Sequence, residues 1–310
     1  RDYYASRGLG DVYKRQGYVK MDINGTTRVC GLIGNPVAHS ISPVIHNRLA
    51  GLRGDNLVYA TFKVEAGNVA AAVKGAYALD ILGLNVTVPH KQAVIDELVD
   101  IDGLAAAIGA VNTLVRTEGG FKGYNTDILG LDRELSDVGI SLEDKCVVII
   151  GAGGAARAIA FLCAGKKASE IYIMNRTLEK AQNIADAVNE YAKKDIAKAA
   201  GISECGSFDK KDYIVIQTTS VGLHPHDDET AVTADEFYEN AAAGVDIIYN
   251  PYETMFMKLM KKHGKPAYNG LKMLLYQGVA AYELWNDCKI SSDMADIIYE
   301  DMKKELGISE

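Results

Sequence analysis

Two stretches carry the clearest chemistry in this sequence. Gly151-Ala152-Gly153-Gly154-Ala155-Ala156 follows the apolar run Lys145 to Ile150 and precedes a stretch of helical composition that ends near Gly165. In a G-x-G-x-x-A turn between strand and helix, the first glycine makes a tight turn and the second lets backbone approach a pyrophosphate. The small Ala156 allows close helix–strand packing, and the helix N-terminal amides face the anion. The competing reading is a glycine-rich turn with no ligand. The next strand ends in Asn175-Arg176-Thr177, with Lys180 one turn on. An acid there would hold a ribose 2′-hydroxyl, whereas an arginine between two neutral hydrogen-bonding residues suits a 2′-phosphate, so the expected cofactor is NADP rather than NAD. Against this stands a plain reading in which Thr177 caps a helix beside a solvated Arg176.

The first half of the chain offers scattered polar residues at strand ends: Ser40, Ser42, Asn85, Thr87, Lys91, Asn112, Thr126 and Asp127. Taken singly, each has a bland explanation. Ser42 can simply cap a helix, Asn85 and Asn112 can be turn residues, Lys91 a solvated lysine, and Asp127 an acid in a first helical turn. His224-Pro225-His226-Asp227-Asp228 could ligate a metal, but it lies in a polar stretch with no distant third ligand, so a solvated loop and no metal are expected.

These residues need elements to hold them. Val29 to Ile33, Leu57 to Val64 and Ile81 to Val88 have strand character, and helices are expected from Ser42 (as N-cap, with Pro43 at the first helical position) to Leu49 and from Ala66 to Ala78. After Asp127 the pattern restarts: a helix at Ile128–Val138, strands at 145–150 and 170–174, a helix at 178–194, and strands at 213–217 and 244–249. Leu271, Leu274, Leu275, Val279 and Tyr282 then keep helical spacing with no further strand. The expectation is an α/β protein of two domains. The first is an N-terminal α/β domain with a mainly parallel sheet, residues 21–126 plus 270–310. The second is a Rossmann-type dinucleotide-binding domain, residues 127–269, and the C-terminal helices return to the first. Junctions near Asn125 and Gly270 are the expected hinges.

Composition narrows the function classes. The 310 residues are 48% hydrophobic and 24% charged, with a formal charge of −8. No Lys/Arg cluster supplies the basic face that nucleic acid requires. No apolar run reaches the ~18–20 residues of a membrane helix, so neither nucleic acid nor membrane is an expected partner. The five cysteines lack metal-ligand or C-x-x-C spacing, as expected of reduced thiols in a cytoplasmic protein. Residues 1–20 lack both an apolar signal core and any secondary-structure period. They are expected to be a non-native extension, with the natural chain starting near Met21.

Taken together, the polar residues form an ordered series. Ser40-Ile-Ser42-Pro43, Asn85-Val-Thr87-Val-Pro89-His-Lys91, Gly109-Ala-Val-Asn112-Thr113 and Gly123-Tyr-Asn-Thr-Asp127 precede the glycine turn. Asp246-Ile-Ile-Tyr249-Asn-Pro251 and Met273-Leu-Leu-Tyr-Gln277 follow it. The set resembles the shikimate dehydrogenase family from about Val29 to Trp285. The resemblance implies NADPH-dependent, reversible reduction of 3-dehydroshikimate to shikimate in aromatic amino-acid biosynthesis. It matches Lys91 to the family's catalytic lysine and Asp127 to its partner aspartate. Ser40 and Ser42 match the serines that hold the substrate carboxylate, with Thr87 and Tyr249 beside it, and Asn85, Asn112 and Gln277 match contacts to the ring. Gly151 to Ala155, Asn175 to Thr177, Lys180, Ile247 and Gly270 match the cofactor contacts. Two departures stand out: His90 replaces an aromatic or aliphatic residue before the lysine, and Gln217 begins a Gln-Thr-Thr stretch where the family has Asn-(Ala/Thr)-Thr.

The residue types suit this chemistry. A lysine can donate a proton to the oxygen that gains charge as hydride reaches a ring ketone, with a carboxylate to orient it. Hydroxyls in place of an arginine suit a small carboxylate in an acidic protein. The nearest alternative is a quinate/shikimate dehydrogenase using NAD or NADP. A non-catalytic NADP-binding regulator would more readily have lost Lys91 or Asp127, and an NADP enzyme acting on folates or aldehydes gives no reason for the serine pair. Monomer and homodimer are both compatible with the sequence.

Overall fold

A computed structural model describes residues 23–308; the expected non-native extension at 1–20 lies outside the described residues. Contacts divide the chain into two compact units. The first holds the described residues through Asp100, Thr113–Lys122 and those from Ala281 onward; the second holds Ile101–Asn112 and Gly123–Ala280.

The N-terminal half contains β1 (Arg28–Gly34), α1 (Ser42–Arg53), β2 (Leu57–Lys63), α2 (Val69–Ala78), β3 (Gly83–Val86), β4 (Asp100–Ile101), α3 (Gly103–Ile108), β5 (Thr113–Thr117) and β6 (Gly120–Tyr124). Its sheet runs β2-β1-β3-β5-β6-β4. The pairs β1–β2 and β1–β3 are parallel, whereas β3–β5 is antiparallel.

Then come α4 (Asp127–Asp137), β7 (Cys146–Ile150), α5 (Gly154–Gly165), β8 (Glu170–Asn175), α6 (Leu178–Ala192), β9 (Ala197–Gly201), β10 (Tyr213–Gln217), α7 (Asp235–Asn240), β11 (Ala241–Asp246), α8 (Met255–Lys262), β12 (Ala267–Asn269), α9 (Leu271–Asn286) and α10 (Ser292–Glu305). The second sheet runs β12-β11-β10-β7-β8-β9, and all its pairs are parallel. This is the doubly wound order, with the reversal between β7 and β10.

The apolar run of β7 explains why this sheet is covered on both faces. Strand side chains alternate between faces, and Val147 and Ile149 join one core with residues of α5 and α6. Val148 and Ile150 join the other, with Phe237, Tyr238, Phe256 and Met260 of α7 and α8. In the first unit the end of α9 returns to the sheet. A Cβ on Gly83 would lie 2.1 Å from the Trp285 indole nitrogen, and that nitrogen donates to Leu114 O at 2.9 Å. On α10, Asp301 pairs with Arg48 of α1 at 2.7 Å.

Several boundaries differ from the expected ones. Ser42 is not the N-cap of α1. Ile41 holds that position without a side-chain cap bond, because the Ser40 hydroxyl already takes the Ser42 amide at 3.2 Å and closes the turn one residue earlier. The Ala66–Ala78 helix opens as a 3₁₀ turn, Ala66–Asn68, before Val69. The strand expected at 244–249 occupies Ala241–Asp246, its alanines standing in for the β-branched residues that mark strands. The alanine-rich β9, the β5–β6 pair, α3, α7, α8 and β12 carry no expectation from the sequence.

Among the described residues, no helix is long and apolar enough to cross a membrane.

Candidate functional site

The cofactor side is built at the carboxyl ends of the second sheet. Gly151 turns the chain out of β7 at φ 112°, and its amide donates to Met174 O at 2.8 Å. A Cβ at Gly151 would stand 2.5 Å from Thr218 Oγ1, so only glycine lets β7 and the loop after β10 close on each other. Thr218 Oγ1 itself donates to Ile150 O at 2.7 Å. Gly153 N-caps α5 without any side-chain bond to the first-turn amides. A Cβ on Gly153 or Gly154 would meet nothing within 4 Å, which leaves room for an anion at the helix end. Ala156 is fully buried against the sheet.

A cleft of about 690 Å³ brings Gly151, Ala152 and Gly153 together with Asn175, Arg176, Thr177 and Lys180. That volume lies within the ~300–1,000 Å³ typical of ligand sites. Asn175 Nδ2 donates to Thr177 O at 3.0 Å, bending the strand end so that the exposed Arg176 and Lys180 sit at the rim. No carboxylate occupies the β8 end. The open space over the glycines, the uncapped helix and the two cations together fit a dinucleotide with a 2′-phosphate.

Gly154, Ala155, Ile247 and Gly270 are not among the residues lining the cleft. Ile247 and Gly270 meet each other: a Cβ on Gly270 would lie 2.2 Å from Ile247 O, and the Gly270 amide donates to Ile248 O at 3.0 Å. The cleft also takes residues that carry no signal of their own in the sequence, namely Ile202, Glu229, Thr230 and Ala231. Glu229 pairs with His226 at 3.2 Å, and His224 pairs with Asp227 at 3.2 Å.

The expected substrate-side residues divide between the units. Ser40, Ser42, Asn85, Thr87 and Lys91 belong to the first. Ser40 Oγ donates to Ser42 Oγ at 3.1 Å, which sets the two hydroxyls side by side at the start of α1. Asn85, buried in β3, accepts from the Tyr59 hydroxyl at 2.8 Å and donates to Thr113 Oγ1 at 3.1 Å. His46 of α1 stacks on Tyr59 with centroids 4.2 Å apart. Among the described residues its ring nitrogens have no hydrogen-bond partner. Burial drives its pKa down to about 3, a shift the nearby Asn85 amide offsets only in part.

Thr87 follows β3, its amide bonded to Ile33 O at 2.9 Å. A Cβ on Gly34 would strike its methyl at 2.3 Å. His90, the departure before the lysine, is buried and donates from Nε2 to Val64 O at 2.7 Å. It therefore anchors the turn that presents the half-buried Lys91.

Asn112, Asp127, Tyr249 and Gln277 belong to the second unit. Asn112 Nδ2 donates to Asp127 Oδ1 at 2.8 Å, and Asn112 Oδ1 accepts the Thr126 amide at 2.7 Å. The Asn125 carboxamide accepts the Asp127 amide at 3.1 Å, so two asparagines fix the carboxylate at the first residue of α4. Gln277 on α9 donates to Leu274 O at 2.9 Å. It lies where α4 and α9 approach closely: a Cβ on Gly130 would be 2.8 Å from its amide nitrogen. Tyr249 is half-buried beyond β11, and burial pushes its phenol pKa up.

Comparison with known proteins agrees with both halves. Residues 32–114 match the shikimate dehydrogenase substrate binding domain, and residues 134–223 match the shikimate / quinate 5-dehydrogenase family. A shikimate dehydrogenase (NADP(+)) from Methanothermobacter thermautotrophicus is 42% identical over 263 residues, 85% of this chain and 92% of the relative. A crystal structure of shikimate dehydrogenase in complex with NADP+ superimposes with a TM-score of 0.83 at 38% identity, covering 93% of this chain and 98% of that one. The Listeria monocytogenes shikimate 5-dehydrogenase, in complex with shikimate and NAD, gives a TM-score of 0.84 at 30% identity over 92% of this chain and 99% of that one.

Proposed function

The chain belongs to the shikimate dehydrogenase family, and from that premise we propose that it interconverts 3-dehydroshikimate and shikimate in the cytoplasm, with Lys91 and Asp127 as its acid–base pair. As a member of that family it is an NADP-dependent oxidoreductase with a small-molecule substrate. The observation that carries the cofactor reading is the cleft whose floor is the glycine turn and whose rim is Asn175, Arg176, Thr177 and Lys180, with no acid at the strand end.

In this reading, residues 127–269 hold the dinucleotide, and residues 21–126 with 270–310 supply most of the substrate side. When bound, NADPH supplies the hydride. Gly151 to Ala155 and the N-terminal amides of α5 hold the pyrophosphate. Arg176, flanked by Asn175 and Thr177 and supported by Lys180, takes the 2′-phosphate, and Ile247 and Gly270 pack at the other end. The hydroxyls of Ser40, Ser42, Thr87 and Tyr249 donate to the substrate carboxylate, and Asn85, Asn112 and Gln277 orient the ring hydroxyls. Lys91 Nζ gives its proton to the carbonyl oxygen during reduction and takes it back from the hydroxyl during oxidation. Asp127, held by Asn112 and Asn125, keeps that lysine aligned.

The test is initial rates with shikimate or quinate crossed against NADP or NAD, read from nicotinamide absorbance. Turnover dominated by shikimate with NADP is expected. Equal or better turnover with quinate and NAD would keep the catalytic pair and overturn the specificity. Lys91→Ala should lower kcat by ~100-fold or more, at the lower end of what a positioned acid–base group contributes, with little change in shikimate KM. Surviving turnover with weakened binding would remove the acid–base role.

A further inference from the structure

The last side chains of β10 and β11 form a buried polar pair behind the cofactor cleft. Gln217 is 1% exposed and Asp246 is fully buried. The Gln217 amide donates to Asp246 Oδ1, Thr219 O and Val221 O, each at 3.3 Å. Its carbonyl oxygen accepts the Thr219 amide at 2.5 Å. Asp246 Oδ1 also accepts the Ile248 amide at 3.0 Å, and Oδ2 accepts the Thr254 hydroxyl at 2.7 Å. The backbone closes the circuit, with Ile247 N donating to Gln217 O at 3.0 Å.

The burial costs stability: desolvation lifts the Asp246 pKa to about 6 despite three donors. An apolar pair of the same shape would avoid that cost, but it would leave the polar backbone of Thr219 and Val221 unheld. Those residues belong to the Thr218–Val221 segment that lines the cleft. The Thr219 methyl would stand 3.0 Å from a Cβ on Gly151, so the segment's placement also sets the glycine turn.

We propose that Gln217 and Asp246 are positioning residues for the cofactor: together they lock the Thr218–Val221 wall of the cleft to the Ile247–Tyr249 segment before the dinucleotide arrives. The proposal rests on the reading that this cleft holds NADP. Preordering the wall removes an entropic cost that would otherwise be met on binding. The Gln217 side chain reaches the Thr219 and Val221 carbonyls and the Asp246 carboxylate at once, and Asp246 in turn holds the Ile248 amide.

The experiment uses the full chain with Gln217→Leu, Asp246→Asn and Thr219→Val, the last a change outside the buried pair that removes the hydroxyl accepting Val221 N at 3.2 Å. Two readouts are taken: calorimetric titration with NADP, and amide hydrogen exchange without ligand. Gln217→Leu should raise the NADP dissociation constant about tenfold, the equivalent of ~1.4 kcal/mol, and leave shikimate KM within about twofold. Its exchange should rise at Thr219 to Val221 and at Ile248, and not elsewhere in the sheet. Asp246→Asn, which retains acceptors for the Ile248 and Gln217 donors, should keep NADP affinity within about threefold of wild type. If Gln217→Leu does not fold, Thr219→Val carries the same signature at smaller size. Unchanged affinity and unchanged local exchange in the folded variants would overturn the proposal, as would a uniform loss of protection. A wild-type chain that keeps its protection pattern but gives no heat with NADP would sink the cofactor reading instead.

Discussion

The glycine turn at Gly151 and the polar cluster around Asn85 both sit at strand ends that the proposed function sets against a ligand, yet they are built in opposite ways. The turn is contiguous. Six successive residues set a backbone path, and its specificity lies in missing side chains: φ 112° at Gly151 and empty space over Gly153 and Gly154. The Asn85 cluster is assembled from distant parts. Tyr59 comes from β2, Thr113 from β5, His46 from α1 and Trp285 from α9, and each contributes one ring or one hydrogen bond. A contiguous site fails when one backbone conformation is blocked. An assembled site degrades piece by piece, because each partner fixes only part of the geometry.

The largest effect should therefore come from Gly151→Ala. An L-residue at this φ is strained by ~1–3 kcal/mol, and the new methyl would overlap Thr218 Oγ1 at 2.5 Å. If the turn moves to relieve this, NADP affinity should fall about a hundredfold, or ~2.7 kcal/mol, while Asn85-side contacts persist. Calorimetric titration reads it. An alanine variant that binds NADP normally would mean the turn tolerates a second conformation, and the contrast between the two sites would weaken.

His46 offers the next effect, and it is a matter of pH. Its folded pKa of about 3 lies below the ~6.5 of an unfolded histidine. The unfolded chain thus binds the proton more readily, so this contribution is intact above pH ~6.5 and is lost as pH falls toward 3. At pH 5 the loss should be about 2 kcal/mol. His46→Phe, which keeps a ring against Tyr59, should abolish it. Urea unfolding of both proteins at pH 8 and pH 5 gives the difference, and a pH-independent difference would mean that the imidazole is protonated inside the fold.

The same contrast explains what could be read from the sequence. Tyr213–Gln217 was legible to the residue because an apolar run is bounded by polar residues on both sides, and the G-x-G-x-x-A turn was legible because contiguous backbone demands leave contiguous marks. The NADP preference was legible from Asn175-Arg176-Thr177 at the end of β8, where no acid stands, and from Lys180 one turn on. The Asn85 cluster was not, since a hydrogen bond across 26 residues leaves no local trace. A partial signal did exist. Ile45, His46 and Leu49 share the buried face of α1, and Leu57 and Tyr59 share the buried face of β2, so both polar rings could have been assigned inward. Strand β9 was hidden for another reason. Ala197-Lys-Ala-Ala-Gly201 has helical composition, and only pairing with β8 makes it a strand. The role of Gln217 was invisible because it depends on Asp246, whose partners come from three segments.

The smallest effect is the one that separates the two architectures most cleanly. Tyr59→Phe removes a single oxygen from the assembled site, and with it the Tyr59 hydrogen bond to the Asn85 carbonyl at 2.8 Å. One buried hydrogen bond contributes ~0.5–1.5 kcal/mol net, and Thr113 still holds the other end of the same amide at 3.1 Å. Asn85 should then loosen without leaving its pocket. Shikimate KM should rise about three- to tenfold, the equivalent of ~0.7–1.4 kcal/mol, with NADP affinity unchanged because no part of the glycine turn depends on β2. The stack of His46 on Tyr59 survives in the phenylalanine ring, which keeps the acid limb of stability in place. A steady-state titration of shikimate at saturating NADP, paired with the binding titration for NADP, reads both quantities. A fall in NADP affinity of similar size would show that the two sites share a support. No change in shikimate KM would mean that Thr113 alone orients Asn85, or that Asn85 does not touch the substrate, and Thr113→Val in the same assay tells these apart: it should raise KM only in the first case.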